Sequence, residues 1–316
     1  MCILAVASGC HDDYPLVCIH NREEERDRPT TPCELRRPSG VICALDELKG
    51  GTWMGLNRSS GLFSSLTNLR ATNPPRGAPA SRGLLVSELL ESERGSELAV
   101  GLREASAASL RRCEGVLRRH IAAREYEGLN LCVGSWHPTP TGAPPAVFRG
   151  ANVPPQFSAS ASQRQATAAA DGWSVWLEAV AAGEAHAWSN NDPATDWPKS
   201  TWLRQALADV LATTPEAKAD PDARARAAGA AAACVAVPIV EERFPGCAEC
   251  PLPPRTAALL RELCGLLCTT HPYTEPELPQ DMAAFSPLPV SDGTSSPGCR
   301  RRLAGVVQWP SLSPQV

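Results

Sequence analysis

The sequence predicts an α+β protein, in which strands and helices occupy separate stretches of the chain. Short apolar segments rich in β-branched residues fill the first 75 residues, helical patterns follow, and strand-like segments return before a final helix. This order differs from the regular strand–helix alternation of a doubly wound parallel sheet. Hydrophobic residues make up 43% and charged residues 20% of the 316 residues, which is typical of a chain that buries a core.

The first quarter of the chain predicts antiparallel strands. Segments 2–8 and 16–20 are apolar and are separated by a polar connection that contains Pro15, which suits two neighbouring antiparallel strands. Three more strands, separated by turns rich in glycine and serine, are predicted at 41–45, 52–57 and 62–68.

The middle of the chain predicts two helices, then strands, then a third helix. Ser81 is the predicted N-cap of the first helix, whose leucines recur at helical spacing, and the second helix is predicted over 97–124. Strands at 130–136, 146–150 and 185–190 and a helix that begins at Ser200 complete the pattern.

We predict one domain over residues 1–271, for which the region 1–200 gives the best support. The alanine-rich segment 213–233 is predicted to be either a solvent-exposed helix or a low-complexity insert. Eight prolines interrupt residues 272–316, so most of this tail is predicted to be irregular.

Composition and charge exclude several classes of function. A net charge of −4 argues against a nucleic-acid-binding protein, which needs a clustered basic surface. No stretch of 18 uncharged apolar residues occurs, so no membrane-spanning helix is predicted. The opening apolar segment is too short for a secretory signal peptide. We therefore expect a cytoplasmic protein whose thirteen cysteines are mostly reduced.

Cys2 is the sharpest chemical feature of the sequence. Removal of Met1 would leave a cysteine with both a thiol and a free α-amino group, which is a nucleophile together with its own base. The ordinary pKa is about 8.5 for a thiol and about 7.7 to 8.0 for an α-amine, so a nearby cation would give thiolate near neutral pH. The alternative interpretation of this cysteine is a small buried apolar side chain.

An ordered series of motifs follows Cys2 along the chain. Asn21-Arg22-Glu23-Glu24 comes directly after the second predicted strand, and Arg28-Pro29-Thr30 follows it. The later members of the series are Gly50-Gly51-Thr52-Trp53-Met54-Gly55, 61–70, 81–86, 126–131, Trp188-Ser189-Asn190-Asn191 and 196–199. Together they resemble the NRDE family, the transport and Golgi organisation 2 proteins, over about the first 200 residues.

The resemblance implies a fold similar to that of N-terminal-nucleophile hydrolases. That fold is a four-layer αββα sandwich, with two antiparallel sheets face to face and helices outside. By analogy with cysteine enzymes of this fold, which cleave amide bonds other than peptide bonds, Cys2 would attack the amide and Arg22 would hold the thiolate. Glu24 would orient Arg22 or the amine, and Asn68 and Asn190 would donate hydrogen bonds to the oxyanion.

Each of these residues also has a structural interpretation. Arg22 and Glu24 would form an ion pair that only supports the fold. Asn68 and Asn190, beside strand ends, would fix turns. Trp53 is interpreted as core packing rather than as a contact to substrate.

The sequence departs from the family pattern, and this affects the function that we expect. Glu23 replaces the family's aspartate, Glu25-Arg26 replaces an aromatic pair, and no Tyr-Gly-Thr-Arg segment is recognisable late in the chain. The missing arginine favours ligand binding over turnover. We therefore expect a role in secretory-pathway or Golgi organisation, or in metabolite homeostasis, through binding of a lipid-like or haem-like ligand. The expected location is cytoplasmic, in association with the Golgi or mitochondria. The alternative is a cysteine amidohydrolase that cleaves a small amide.

Cofactor and metal motifs are few. Neither a glycine-rich nucleotide loop nor a zinc-protease or serine-hydrolase motif occurs, so we predict no cofactor. Cys247, Cys250, Cys264 and Cys268 have a spacing compatible with zinc. The last two lie four residues apart on a predicted helix, where buried packing explains them as well.

Overall fold

The computed structural model describes most of the first 213 residues and two later strands. The described ranges are 2–11, 14–25, 28–69, 80–122, 126–137, 139–153, 167–168, 174–190, 196–213, 235–240 and 300–308. Within them the chain forms thirteen strands and four α-helices, and all strand pairings between named strands are antiparallel. The predicted α+β class is confirmed.

Sheet 1 has five strands. They are β1 (Ile3–Ser8), β2 (Leu16–Glu25), β11 (Ala185–Trp188), β12 (Val235–Val240) and β13 (Arg300–Gln308), in the order β11-β1-β2-β13-β12. β1 pairs with β2 from Ile3 opposite Asn21 to Ser8 opposite Leu16, so the first two predicted strands are neighbours. β1 is therefore flanked on both sides, by β2 and by β11.

Sheet 2 has eight strands. They are β3 (Glu34–Arg36), β4 (Val41–Cys43), β5 (Met54–Asn57), β6 (Leu62–Asn68), β7 (Leu129–Ser135), β8 (Val147–Val153), β9 (Thr167–Ala168) and β10 (Ser174–Ala179). Their order is β3-β4-β5-β6-β7-β8-β10-β9, so most neighbours in the sheet are also neighbours in sequence. The sequence analysis did not predict β3, β9 and β10 of this sheet, or β12 and β13 of sheet 1.

The four helices are α1 (Arg82–Glu91), α2 (Glu93–Glu104), α3 (Ala107–Ala122) and α4 (Pro198–Thr213). The prediction of one helix over 97–124 is wrong, because the helix is interrupted between α2 and α3. Ala105 adopts a left-handed conformation with φ 52°, and the Ser106 hydroxyl accepts a hydrogen bond from the Ser109 N–H at the start of α3. Ser81 is at the N-cap of α1 as predicted, but its side chain donates to the Gly50 carbonyl instead of capping the helix.

Three main hydrophobic clusters hold these elements together. Helices α1, α2 and α3 pack on sheet 2 through residues such as Leu89 and Leu117, and α4 packs on β1 and β11 through Leu203 and Leu207. The third cluster, which we call the intersheet core, joins the two sheets through Leu4, Val6, Leu16, Cys18, Ile42, Met54, Leu56, Phe63, Cys132, Trp136, Val147 and Trp188. Burial of a large apolar side chain in such a cluster stabilises the fold by about 1.5–3 kcal/mol.

Several predictions fall at the edge of the described ranges or beyond them. Of the alanine-rich segment 213–233, only Thr213 at the end of α4 is described. Within the tail that was predicted to be irregular, residues 300–308 form β13, and 272–299 and 309–316 lie outside the described residues. No helix in the described ranges has the length and apolar content that crossing a membrane requires.

Candidate functional site

Cys2 lies directly before β1, between β2 and β11, the two strands that flank β1 in sheet 1. The registers pair Ile3 with Asn21 on the β2 side and Leu4 with Trp188 on the β11 side. When both registers are extended past the start of β1, Arg22 lies opposite Cys2 on one side and Asn190 lies opposite it on the other. Sheet pairing therefore brings together three of the five predicted site residues.

The same end of the sheet is continuous with the intersheet core. Side chains alternate along a strand, so Cys2 shares a face with Leu4 and Val6, which both belong to that core. Cys2 is half-buried. We call the region formed by Cys2, Arg22, Glu24, Asp46, Asn68, Ser189 and Asn190 the Cys2 end.

Arg22 is buried and is contacted from three directions. Its side chain is only 6% exposed. Nη1 donates to the Thr30 hydroxyl at 3.2 Å, and Nη2 lies 3.1 Å from Asp46 Oδ2 and 3.4 Å from Glu24 Oε2. The guanidinium also stacks on the Trp53 ring, with its carbon 4.3 Å from the ring centroid. Trp53, which was predicted to be core packing, therefore also contacts a predicted site residue.

Asp46, in the connection between β4 and β5, links two arginines. Its Oδ2 atom accepts hydrogen bonds from Arg28 Nη2 at 2.6 Å and Nε at 2.9 Å, in addition to the bond from Arg22. Burial tends to raise the pKa of Asp46, but hydrogen bonds from Arg28 and from the Lys49 N–H, with the charges of both arginines, lower it overall. Asp46 is therefore ionised at neutral pH.

Hydrogen bonds tie the chain after β11 to sheet 2 at the Cys2 end. The Ser189 carbonyl accepts from Thr67 Oγ1 at 2.6 Å and from Asn130 Nδ2 at 3.0 Å, while the Ser189 hydroxyl donates to the Cys2 carbonyl. Asn190 Nδ2 donates to the backbone carbonyl of Asn68 at 2.6 Å. This bond joins the chain after β11 to the end of β6, and the Asn68 backbone carbonyl is its acceptor. One N–H of the Asn190 amide remains for another acceptor.

His20 connects the two sheets one step further in. Its Nδ1 atom lies 2.7 Å from Ser65 Oγ on β6, and Ser65 in turn donates to the Trp53 carbonyl at 3.2 Å. Because Ser65 donates its hydrogen to the Trp53 carbonyl, its oxygen accepts from the Nδ1–H of His20. Burial, and secondly the charge of Arg22, lower the pKa of His20 to about 3. His20 is neutral at physiological pH.

The thiol of Cys2 is also neutral in this structure. Burial raises the pKa of Cys2, and the positive charges of the N-terminal amine, Arg22 and Lys199 only partly oppose this effect. Among the described cysteines, Cys2 is the one whose thiol pKa is lowered by two basic side chains, Arg22 and Lys199. The buried Cys18 differs, because its pKa lies well above its usual value and no cation lowers it.

Two further basic residues belong to this environment. Arg82, the first residue of α1, donates to the Gly128 carbonyl at 3.2 Å and forms an ion pair with Glu127 at 3.0 Å. Burial lowers the pKa of Arg82, and the smaller opposing effects on it come from Glu127, Cys2 and Glu24. Lys199, in the first turn of α4, lies with its Nζ atom 5.5 Å from the centroid of the Trp197 ring.

A model of the family described as Transport and Golgi organisation 2 matches residues 1–231, which include β1 to β11 and all residues of the Cys2 end. The chain belongs to the Transport and Golgi organisation 2 family. A comparison with individual curated proteins gives no significant match.

At and around the Cys2 end, sequence reasoning missed several residues. Thr30, Arg82 and Lys199 lie in motifs that carried the resemblance, and their spacing gave no indication of a role. Asp46 gave only a local signal, because an aspartate before Gly50-Gly51 is typical of a turn. Arg28, which shares the Asp46 carboxylate, was likewise noted only as part of a motif.

Metal binding receives no support from the described part of the chain. In those ranges, no group of three or more His, Cys, Asp or Glu side chains is placed to hold a metal ion. Cys247, Cys250, Cys264 and Cys268, which have the zinc-compatible spacing, lie outside the described residues.

Proposed function

We propose that this member of the Transport and Golgi organisation 2 family binds a lipid-like or haem-like ligand in a cleft at the Cys2 end. The proposal includes a fold of the N-terminal-nucleophile-hydrolase type, with four αββα layers. We also propose that the protein is cytoplasmic, is associated with the Golgi or mitochondria, and serves secretory-pathway organisation or metabolite homeostasis. The domain would extend over residues 1–271.

The packing of the described elements supports the four-layer arrangement. Helices α1 to α3 contact sheet 2, α4 contacts sheet 1, and the intersheet core lies between the two sheets. In such an arrangement the strand ends that surround Cys2 open at one edge of the apolar layer. A ligand with an apolar body and an anionic group suits that edge, because apolar residues lie beneath it and Arg22, Arg82 and Lys199 act electrostatically on the Cys2 environment.

The observation that carries the binding proposal is the position of Cys2, which shares a face of β1 with Leu4 and Val6 of the intersheet core and lies opposite Arg22 on β2. Burial also raises the pKa of Cys2, although the N-terminal amine, Arg22 and Lys199 lower it, and this does not favour the thiolate form in which a nucleophilic cysteine reacts. Asn190 also uses one amide N–H on the Asn68 carbonyl, which reduces its capacity to stabilise an oxyanion.

A binding titration tests this proposal. Haemin and a fluorescent fatty-acid analogue are titrated into the purified full chain, and then into Arg82→Met and Lys199→Met. We expect saturable binding of at least one probe and at least about tenfold weaker binding for each variant, because loss of one charge-assisted contact costs about 1.5–3 kcal/mol.

Arg112→Met is the matched control. Arg112 is 70% exposed on α3 and pairs with Glu104, so its loss should leave the affinity unchanged while removing the same charge. Absence of saturable binding by the folded wild-type chain, or an equal loss in Arg112→Met, would overturn the proposal.

A second candidate function is hydrolysis of a small amide by Cys2. The extended registers that bring Arg22 and Asn190 to either side of Cys2 favour it, because a cation and an amide donor are the groups that such a reaction needs. Removal of Met1 would add the α-amine as a base. The neutral thiol and the absence of a recognisable Tyr-Gly-Thr-Arg segment place this function second.

A further inference from the structure

Two carboxylates contact the same nitrogen of Arg22, and they differ in their distance from it and in their exposure. Glu24 belongs to the sequence motif and reaches Arg22 Nη2 at 3.4 Å, whereas Asp46 reaches it at 3.1 Å. The Glu24 side chain is 28% exposed and the Asp46 side chain 14%. We propose that Asp46, and not Glu24, is the positioning residue that keeps the Arg22 guanidinium beside Cys2.

The orientation of Asp46 is fixed by its own loop. Oδ1 accepts hydrogen bonds from the backbone N–H groups of Leu48 at 3.1 Å and Lys49 at 3.2 Å. Oδ2 accepts the bidentate Arg28 and the bond from Arg22. Both oxygens are therefore occupied, so the carboxylate cannot rotate without breaking several bonds at once. A fixed acceptor defines where Nη2 of Arg22 must lie.

The other contacts of Arg22 complete a three-sided seat. Thr30 receives Nη1, and Thr30 is itself bridged to Asp46 through the backbone. Trp53 covers one face of the guanidinium plane. Asp46 and Trp53 both belong to the β4–β5 connection of sheet 2, whereas Arg22 is on β2 of sheet 1. Residues of sheet 2, Asp46 and Trp53, therefore fix the position of the Arg22 guanidinium, which belongs to sheet 1.

Glu24 contacts the same two arginines less closely than Asp46 does. It lies 3.4 Å from Arg22 and 3.7 Å from Arg28, whereas Asp46 lies 3.1 Å and 2.6 Å from them. Its negative charge raises the pKa of Cys2. Glu24 therefore affects the pKa of Cys2 directly through its negative charge. Asp46 affects it indirectly, because it holds the Arg22 guanidinium near the thiol.

The two roles predict shifts of opposite sign. Neutralising Glu24 leaves Arg22 in its seat and removes a negative charge, so the pKa of Cys2 should fall. Neutralising Asp46 releases Nη2, the cation moves away from the thiol, and the pKa of Cys2 should rise. A carboxylate that acted only as a charge would give a fall in both variants.

The test is the pH profile of Cys2 alkylation by iodoacetamide, followed by mass spectrometry of the Cys2 peptide in the full chain. For Asp46→Asn we expect alkylation at pH 7.5 to slow by about tenfold, the effect of about one pKa unit on the thiolate fraction, and to match Arg22→Met. For Glu24→Gln we expect alkylation to become faster. Faster alkylation in Asp46→Asn, or an unchanged rate, would overturn the proposal.

Asp46→Glu keeps the inference testable if Asp46→Asn does not fold. This variant keeps the negative charge but moves the carboxylate by one methylene, so it should also slow alkylation. A wild-type rate in Asp46→Glu would mean that charge alone matters and would contradict a positioning role.

The inference rests on the proposed site only in that Arg22 acts on Cys2. A normal profile in Arg22→Met would overturn both that link and the role of Asp46. A shifted profile in Arg22→Met with a wild-type profile in Asp46→Asn would overturn the inference alone. Probe binding by the wild-type chain is measured separately, so the binding proposal succeeds or fails independently of these profiles.

Discussion

The intersheet core and the Cys2 end lie on the same strands and differ in polarity, charge and hydrogen bonding. In the middle of β1, β2, β6 and β7 the inward side chains are apolar and almost fully buried, as for Leu4, Cys18, Phe63 and Cys132. One or two alternating positions further along the same strands, they are replaced by charged or hydrogen-bonding groups such as Arg22. Stability and site chemistry are therefore separated along each strand, and single substitutions can address one without the other.

The thiol pKa values of Cys18 and Cys2 show the difference between the two regions for the same functional group. Burial raises the pKa of Cys18 well above its usual value, and the neighbouring Cys132 adds to the effect. Burial also raises the pKa of Cys2, but Arg22 and Lys199 act against it. A thiol in the intersheet core is a small apolar side chain, whereas a thiol at the Cys2 end is one whose charge state neighbouring residues can change.

The largest expected effect is loss of packing in the intersheet core. Phe63→Ala removes a fully buried ring between the sheets and should lower the free energy of unfolding by about 3–5 kcal/mol. Urea denaturation followed by circular dichroism measures this change. Leu48→Ala is the control, because Leu48 is 61% exposed and its loss should change stability by less than about 0.5 kcal/mol. Equal effects of the two variants would contradict the assignment of the core.

The next effect is acid sensitivity at His20, at the boundary between the two regions. The pKa of His20 is lowered to about 3, so the folded protein keeps it neutral while the unfolded chain protonates it below about pH 6.5. The unfolded state then binds more protons, and stability falls as the pH drops from about 6.5 towards 3 at roughly 1.4 kcal/mol per unit.

His20→Gln should remove this loss. Between pH 6.5 and 5 the wild-type chain should lose about 2 kcal/mol more than the variant, as measured by denaturation at both pH values. Parallel loss in the two proteins would mean that His20 does not stay neutral in the fold. Protonation of Asp46 contributes only at lower pH, because its pKa is below the usual carboxylate value and its stabilisation is lost as the pH falls through that value.

A smaller effect is expected where hydrogen bonds close the Cys2 end. Thr67→Val keeps the side-chain shape but removes the bond to the Ser189 carbonyl, which retains Asn130 as a donor. We expect a loss of about 1 kcal/mol in the free energy of unfolding. The same change at the exposed Thr213, which donates to the Asp209 carbonyl, is the matched control and should have less effect. A larger loss at Thr213 would contradict a buried tie between the sheets.

The sequence contained enough information to predict much of this comparison. The β-branched segments predicted β1, β2 and β4 to β8 within a few residues, because their pairing is local and separated by clear turn signals. The motif that contains Arg22, which lies in the second half of β2, pointed to Arg22 beside Cys2, and antiparallel pairing of the consecutive strands β1 and β2 produces that geometry.

Long-range and competing local effects could not be predicted. β13 pairs with β2 although they are far apart in sequence, as in the pairing of Val306 with Ile19, and nothing in either segment specifies that partner. The break between α2 and α3 arises because Ser106 caps a new helix within a continuous helical pattern. Asp46 reaches Arg22 from the other sheet, so its role depends on how the sheets pack.

The most direct test of the account is the effect of Cys2→Ala on ligand affinity and on amide turnover. Cys2 lies before β1 and should contribute no more than about 1 kcal/mol to stability, so the variant should fold. A binding site at the Cys2 end should retain probe affinity within about threefold, since one sulfur adds little to a ligand held by many contacts. Cys2→Ser should behave in the same way. Robust amide hydrolysis by the wild-type chain that Cys2→Ala abolishes would contradict the binding account and establish a hydrolase.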